Sequence, residues 1–93
     1  ILLCATGLGM AMMANKVPGA YAGNCADVYS AQRLALSNNG NIITCGSWVV
    51  GEALAKLVVE TFLACSFDSS SPSGRKVARL RQLERSQEGG GNG

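Results

Sequence analysis

Six consecutive residues near the start of the chain, Cys4-Ala5-Thr6-Gly7-Leu8-Gly9, combine a thiol, a hydroxyl and two glycines. The apolar run Ile1-Leu2-Leu3 precedes them and the helix-forming residues Met10 to Ala14 follow. This order predicts a strand, a glycine-rich turn and a helix N-terminus, where unpaired backbone N–H groups favour negative charge. A developing oxyanion or a phosphate is the species such a turn receives. Cys4 falls at the carboxyl end of the strand, where open α/β sheets place their ligands, and a thiol near a helix N-terminus can have its pKa lowered enough to serve as a base. The other reading of Cys4 is a core residue, since cysteine is among the most buried residue types. After Gly7 and Gly9 the next glycine is Gly19, too late for a dinucleotide fingerprint, and no Gly-Lys-Ser/Thr follows to make a P-loop.

The elements that must position this turn alternate along the chain. Lys16-Val17-Pro18-Gly19 breaks the first helix, and Ala20 to Gly23 reads as a second strand. Asp27 is placed as the N-cap of a helix through Val28, Ala31, Leu34 and Ala35, which ends in the turn Ser37-Asn38-Asn39-Gly40. Asn41 to Cys45 reads as a third strand, and a helix from Glu52 to Ala64 sets Leu54, Leu57, Val58, Thr61 and Phe62 on one face, opposite Glu52, Lys56 and Glu60. The expected fold class is α/β, a three-layer parallel sheet flanked by helices, with short apolar strands buried on both faces. Residues 1–67 form that unit. Residues 68–93 comprise a serine-rich linker with Pro72, a tail helix from Arg75 to Glu88 striped by Val77, Leu80 and Leu83, and a flexible end from Gly89 to Gly93.

Composition narrows the partners. With 93 residues, 47% hydrophobic and 15% charged, the chain buries a small share of its surface, so a second chain is expected to cover part of it. It does not begin with methionine and opens inside a strand, which reads as a piece of a larger protein. The net charge of +2 arises after Phe67, where Arg75, Lys76, Arg79, Arg81 and Arg85 outweigh Asp68, Glu84 and Glu88. A cluster this small suits a small anionic ligand and argues against nucleic acid. Cys4, Cys25, Cys45 and Cys65 form no paired C-x-x-C and the chain has no histidine, so neither a metal site nor a disulfide framework is expected, and reduced thiols point to the cytoplasm. The apolar run Ile1 to Ala14 is shorter than the ~20 residues of a spanning helix, so no membrane segment is expected.

Ile1 to Gly9, Ala14-Asn15-Lys16-Val17-Pro18-Gly19, Tyr29-Ser30-Ala31, Asn38 with Asn41, Gly46-Ser47, Val49-Val50-Gly51, Leu54-Ala55 and Gly74-Arg75 with Arg79 form one ordered series. Together they resemble the type B ribose-5-phosphate isomerases and the related galactose-6-phosphate isomerase subunits. The resemblance runs from Ile1 to about Leu83 and corresponds to the carboxyl-terminal half to two-thirds of such a protein. It implies a Rossmann-like fold and an aldose–ketose isomerisation of a phosphorylated sugar through a cis-enediolate. No metal or organic cofactor is implied, and the assembly would be a homodimer or higher homo-oligomer with a shared active site.

On this resemblance Cys4 is the base, while the backbone from Ala5 through Gly7 and Leu8 to Gly9, with the Thr6 hydroxyl, forms the anion hole. Asn38 contacts substrate, and Arg75 with Arg79 binds the phosphate, although their spacing alone favours a solvated helix face. The chain also departs from the pattern. Ser37 stands where the family usually has the histidine assigned to ring opening, Trp48 where an arginine often helps hold the phosphate, and Ala5 where glycine is general. The family's amino-terminal Asp-His pair would precede Ile1. The reaction expected is of the ribose 5-phosphate to ribulose 5-phosphate type. Because a hydroxyl cannot replace imidazole as an acid/base near neutral pH, a different phosphosugar, or one met mainly in open-chain form, is the alternative substrate. The other reading is a non-catalytic sugar-phosphate-binding relative, with Ser37 capping a helix end and Trp48 packing on the sheet edge.

Overall fold

The computed structural model describes residues 1–90, and Gly91 to Gly93 of the glycine-rich end lie outside them. In chain order the elements are β1 (Leu2–Cys4), α1 (Leu8–Ala14), β2 (Ala22–Asn24), α2 (Val28–Leu36), β3 (Ile42–Gly46), α3 (Glu52–Ala64) and α4 (Gly74–Gly90). Asp27 starts α2 because its carboxylate accepts the Ser30 N–H at 2.6 Å and the Ser30 hydroxyl at 2.8 Å, occupying a donor the first turn leaves unpaired. Those two bonds hold the Asp27 carboxyl below its ordinary range.

The strands are parallel in the order β1-β3-β2, with Leu2 opposite Thr44 and Ala22 opposite Ile42. Right-handed crossovers then dictate the layers. The step from β1 to β2 crosses the sheet in one direction and lays α1 over one face; the return from β2 to β3 lays α2 over the other, where α3 packs beside it. The expected three-layer α/β fold is the observed one.

The second and third strands each begin later than expected, by two residues and by one. Asn41 Oδ1 accepts the Tyr21 N–H at 2.9 Å, so a side chain satisfies the backbone there before the ladder opens at Ala22. Two-sided burial belongs to the central strand: Ile43 and Cys45 of β3 are fully buried in one cluster with Ala31 and Ala35 of α2 and Val58 and Phe62 of α3, and Thr44, on the other face, is fully buried as well. β1 is an edge strand, and its Leu3 is 60% exposed. The packed stripe of α3 also differs from the expected one. Ala55, Val58, Val59 and Phe62 face the core, while Leu54 and Leu57 lie exposed. The helix is apolar at most positions, so its own pattern did not decide which face α2 would cover.

The serine-rich segment after Phe67 turns on Asp68, whose carboxylate accepts the Ser70 N–H at 2.9 Å and the Ser70 hydroxyl at 2.6 Å. The tail helix starts one residue early, at Gly74, and extends through Gly90. It is tied down by buried Val77, by a 2.6 Å hydrogen bond from the Tyr21 hydroxyl to Glu84 Oε1, and by the Arg81 guanidinium 4.5 Å from the Tyr21 ring centroid. Among the described residues no helix is long and apolar enough to cross a membrane.

Burial pushes the Cys25 thiol up to about 11, with smaller contributions from Cys45 and Asp27. The folded chain therefore holds this proton more tightly than the unfolded one. The stability involved is complete below the ordinary thiol value of 9.0 and is lost as pH rises through about 11. Two units correspond to about 2–3 kcal/mol. Urea titrations between pH 8 and 11 are expected to show this decline in the parent and a shallower one in Cys25→Ala. Equal slopes would remove Cys25 as its source.

Candidate active site

β1 delivers Cys4 to the carboxyl edge of the sheet, and the chain reverses into α1 through Gly7, whose φ of 86° lies in the left-handed region. A side chain there would be strained, and its Cβ would also overlap Asn24 Oδ1. Gly46, at the end of β3, has the same necessity for another reason, since a Cβ on it would drive into the backbone of Thr6. The turn is stitched to the segment after β3 by two hydrogen bonds. Ser47 N–H donates to the Cys4 carbonyl at 2.8 Å, and Trp48 N–H donates to the Ala5 carbonyl at 3.0 Å.

This seating surrounds the Cys4 sulfur with backbone donors. Gly7 N–H donates to Sγ at 3.1 Å. The Met10 N–H is the largest influence on the thiol and lowers its pKa, partial burial opposes it, and the N–H groups of Gly7, Thr6 and Gly9 add to the lowering. The result is a thiol below its ordinary value of 9.0. Thr6 Oγ1 accepts the Leu8 N–H at 3.3 Å, which leaves the hydroxyl's own proton to donate elsewhere. Cys4, Ala5, Thr6, Gly7, Leu8 and Gly9 are thus brought together as one turn carrying a proton acceptor, a hydroxyl and a set of N–H groups.

The remaining expected site residues lie at the opposite edge. Asn38 lines a cavity of about 540 Å³ with Tyr21, Gly40, Leu80 and Glu84, beside the amino ends of β2 and β3 and under α4. Lys76, Val77 and Leu80 of α4 line a second recess with Ser37 and Asn38. Arg75 and Arg79 sit on this helix with both side chains exposed, and Arg79 donates to Gln82 Oε1 at 3.0 Å. The five residues of β3, at about 3.3 Å each, set the two edges about 16 Å apart. One copy of the chain therefore does not bring its tail arginines to its own Cys4.

Ser37 does cap the end of α2: its N–H donates to the Arg33 carbonyl at 2.7 Å, and its hydroxyl accepts from Arg33 Nε at 2.7 Å and from Nη2. Trp48, instead of packing on the sheet edge, is 86% exposed beside the Cys4 turn. Two residues that touch the turn carry no signal in the sequence, Asn24 and Thr44. Their partners lie 18 to 37 residues away in the chain. Among the described residues no group of three or more histidine, cysteine or acidic side chains could hold a metal ion.

Comparison with known proteins covers the same region. The family model described as Ribose/Galactose Isomerase matches residues 1–82. The chain is 43% identical over 89 residues to D-erythrulose-4-phosphate isomerase of Pectobacterium atrosepticum, covering 94% of this chain and 59% of that protein. It is 42% identical over 84 residues to ribose-5-P isomerase B of Listeria innocua, covering 90% and 54% respectively. The structure of type B ribose 5-phosphate isomerase from Leishmania infantum superposes with a TM-score of 0.87 at 31% identity, over 92% of this chain and 57% of that one. The chain thus spans just over half the length of the relatives it matches. With the family model matched over most of its length and the fold shared with a solved relative, the chain belongs to the ribose/galactose isomerase family.

Proposed function

We propose that the protein carrying this chain is an aldose–ketose isomerase acting on a sugar phosphate through a cis-enediolate. The observation that carries the reading is the half-buried Cys4 thiol with backbone N–H groups converging on its sulfur. As thiolate, Cys4 takes the proton from C2 of the aldose and returns it to C1. The negative charge passes from sulfur to the enediolate oxygen, and donors already converged on the sulfur follow it over a short distance, with little reorganisation. Thr6, the one side-chain hydroxyl in the turn, relays a proton between O1 and O2. Arg75 and Arg79 hold the phosphate as a charge-assisted fork, with Asn38 on the sugar.

Since these arginines lie at the far edge from Cys4, the segment from Asp68 through α4 acts as an arm that serves the turn of a second copy. The active unit is then a homodimer or higher homo-oligomer with shared sites. The protein works in the cytoplasm, where its thiols stay reduced.

The substrate follows from Ser37. Its hydroxyl is engaged by Arg33 at the end of α2 and cannot act as imidazole does in ring opening. A four-carbon sugar phosphorylated on O4 has no hydroxyl left to close a five-membered ring and presents its carbonyl directly. The Pectobacterium relative, named an erythrulose-4-phosphate isomerase, supports this class. Assays on both substrates are expected to give a tetrulose 4-phosphate at least about tenfold higher kcat/KM than ribose 5-phosphate. Ser37→His is expected to raise the ribose 5-phosphate value alone. A parent equally good on ribose 5-phosphate would overturn the substrate assignment. Phosphosugar binding with no turnover of either substrate would favour the non-catalytic reading.

A further inference from the structure

We infer that Asn24 and Thr44 are positioning residues for Cys4: by clamping the carbonyls of Thr6 and Gly7 they turn the N–H groups of that segment toward the sulfur. The inference deepens the assignment of Cys4 as base and rests on it. Thr44 is fully buried on β3 and its hydroxyl donates to the Gly7 carbonyl at 2.7 Å. The same hydroxyl lies 3.2 Å from Asn24 Oδ1, and Asn24 Nδ2 donates to the Thr6 carbonyl at 3.2 Å.

A trans peptide is planar, with its C=O and N–H on opposite sides. Drawing the Thr6 carbonyl down onto Asn24 therefore aims the Gly7 N–H the other way, and the Gly7 N–H is the group found 3.1 Å from Cys4 Sγ. Holding the Gly7 carbonyl on Thr44 fixes the next peptide, whose N–H belongs to Leu8 and meets Thr6 Oγ1 at 3.3 Å. The Gly7 carbonyl also accepts the Ala11 N–H at 3.2 Å, so the clamp sets the start of α1 and with it the N–H groups of Gly9 and Met10. Gly7 and Asn24 are fitted to one another, because any side chain at 7 would displace the Asn24 carboxamide. The groups acting on the thiol are the N–H groups of Met10, Gly7, Thr6 and Gly9, and no charged side chain of the described residues is among them. From the segment after β3 the Ser47 hydroxyl lies 3.4 Å from the Cys4 carbonyl.

The test reads the thiol directly. Alkylation by iodoacetamide is followed against pH, with the peptide containing Cys4 quantified by mass spectrometry in the parent, Asn24→Ala, Thr44→Val and Thr44→Ser. The midpoint is expected to rise by about one unit in Asn24→Ala and Thr44→Val, which slows alkylation about tenfold at a pH below both midpoints. Thr44→Ser keeps the hydroxyl and is expected to match the parent. Loss of packing alone would lower the thermal midpoint and leave the alkylation midpoint in place. Asn24 is exposed, so Asn24→Ala carries the test if Thr44→Val does not fold. Unchanged midpoints in the folded variants overturn the positioning role. Because no substrate is present, the two assignments fail separately. A shifted midpoint alongside undiminished C2 exchange in Cys4→Ala would refute the base and leave the clamp standing.

Discussion

Cys4→Ala is expected to slow exchange of the substrate C2 hydrogen with solvent by about 10²- to 10⁴-fold, the range that removal of a positioned acid/base costs. Proton NMR in deuterated buffer follows the exchange without a coupled assay. The pH dependence sharpens the test. A base works deprotonated, so kcat/KM rises with pH through the pKa of Cys4 and levels off above it. Because backbone donors lower that pKa, the plateau is expected at a pH below the ordinary thiol value of 9.0. Cys4→Ser, with a hydroxyl of much higher pKa, is expected to lose the plateau. Exchange at the parental rate in Cys4→Ala would make Cys4 a packing residue.

Arg79→Ala, and Arg75→Ala likewise, are expected to weaken phosphosugar binding by ten- to a hundredfold, about 1.5–3 kcal/mol for a charge-assisted contact. The matching unphosphorylated sugar is expected to bind the variants and the parent alike, and calorimetry on both ligands separates the two. Equal losses for both would point to folding of α4 and away from phosphate. A mixing experiment adds the geometry. If one copy's arginines serve another copy's thiol, subunits of Cys4→Ala and Arg79→Ala, each strongly impaired alone at subsaturating substrate, form mixed dimers with one intact site. About a quarter of parental activity then returns. No recovery after verified subunit exchange would place both residues in one chain's own site.

The parts of this architecture that were legible in the sequence are those whose causes are local. The Cys4 turn is a contiguous run whose glycines sit within five residues of the thiol, and Asp27 announces α2 because its partner Ser30 is three residues on. What escaped is set by distant partners. Asn24 and Thr44 look like ordinary strand residues until the sheet brings them under the turn. The strand starts were misplaced because Asn41 satisfies Tyr21 from across the sheet. Composition places an indole inside, since indoles are mostly buried, whereas the position of Trp48 is fixed by a backbone bond to Ala5 that leaves the ring outside.

The placement of β3 between β1 and β2 also governs how the chain can fold. Neither of the first two strands touches the other, so β1 and β2 join one sheet only once Ile42 to Gly46 lies between them. Until then nothing fixes α1 and α2 on opposite faces of these three strands, and helices of seven and nine residues are too short to persist alone in water. When that strand does arrive, it must close loops as long as the one joining Leu2 to Thr44, which makes nucleation slow and non-local. Among these three strands Ile42 to Gly46 is thus the segment on which assembly waits. Substitutions there are expected to lengthen the interval during which the apolar edge of β1 is open to other nascent chains.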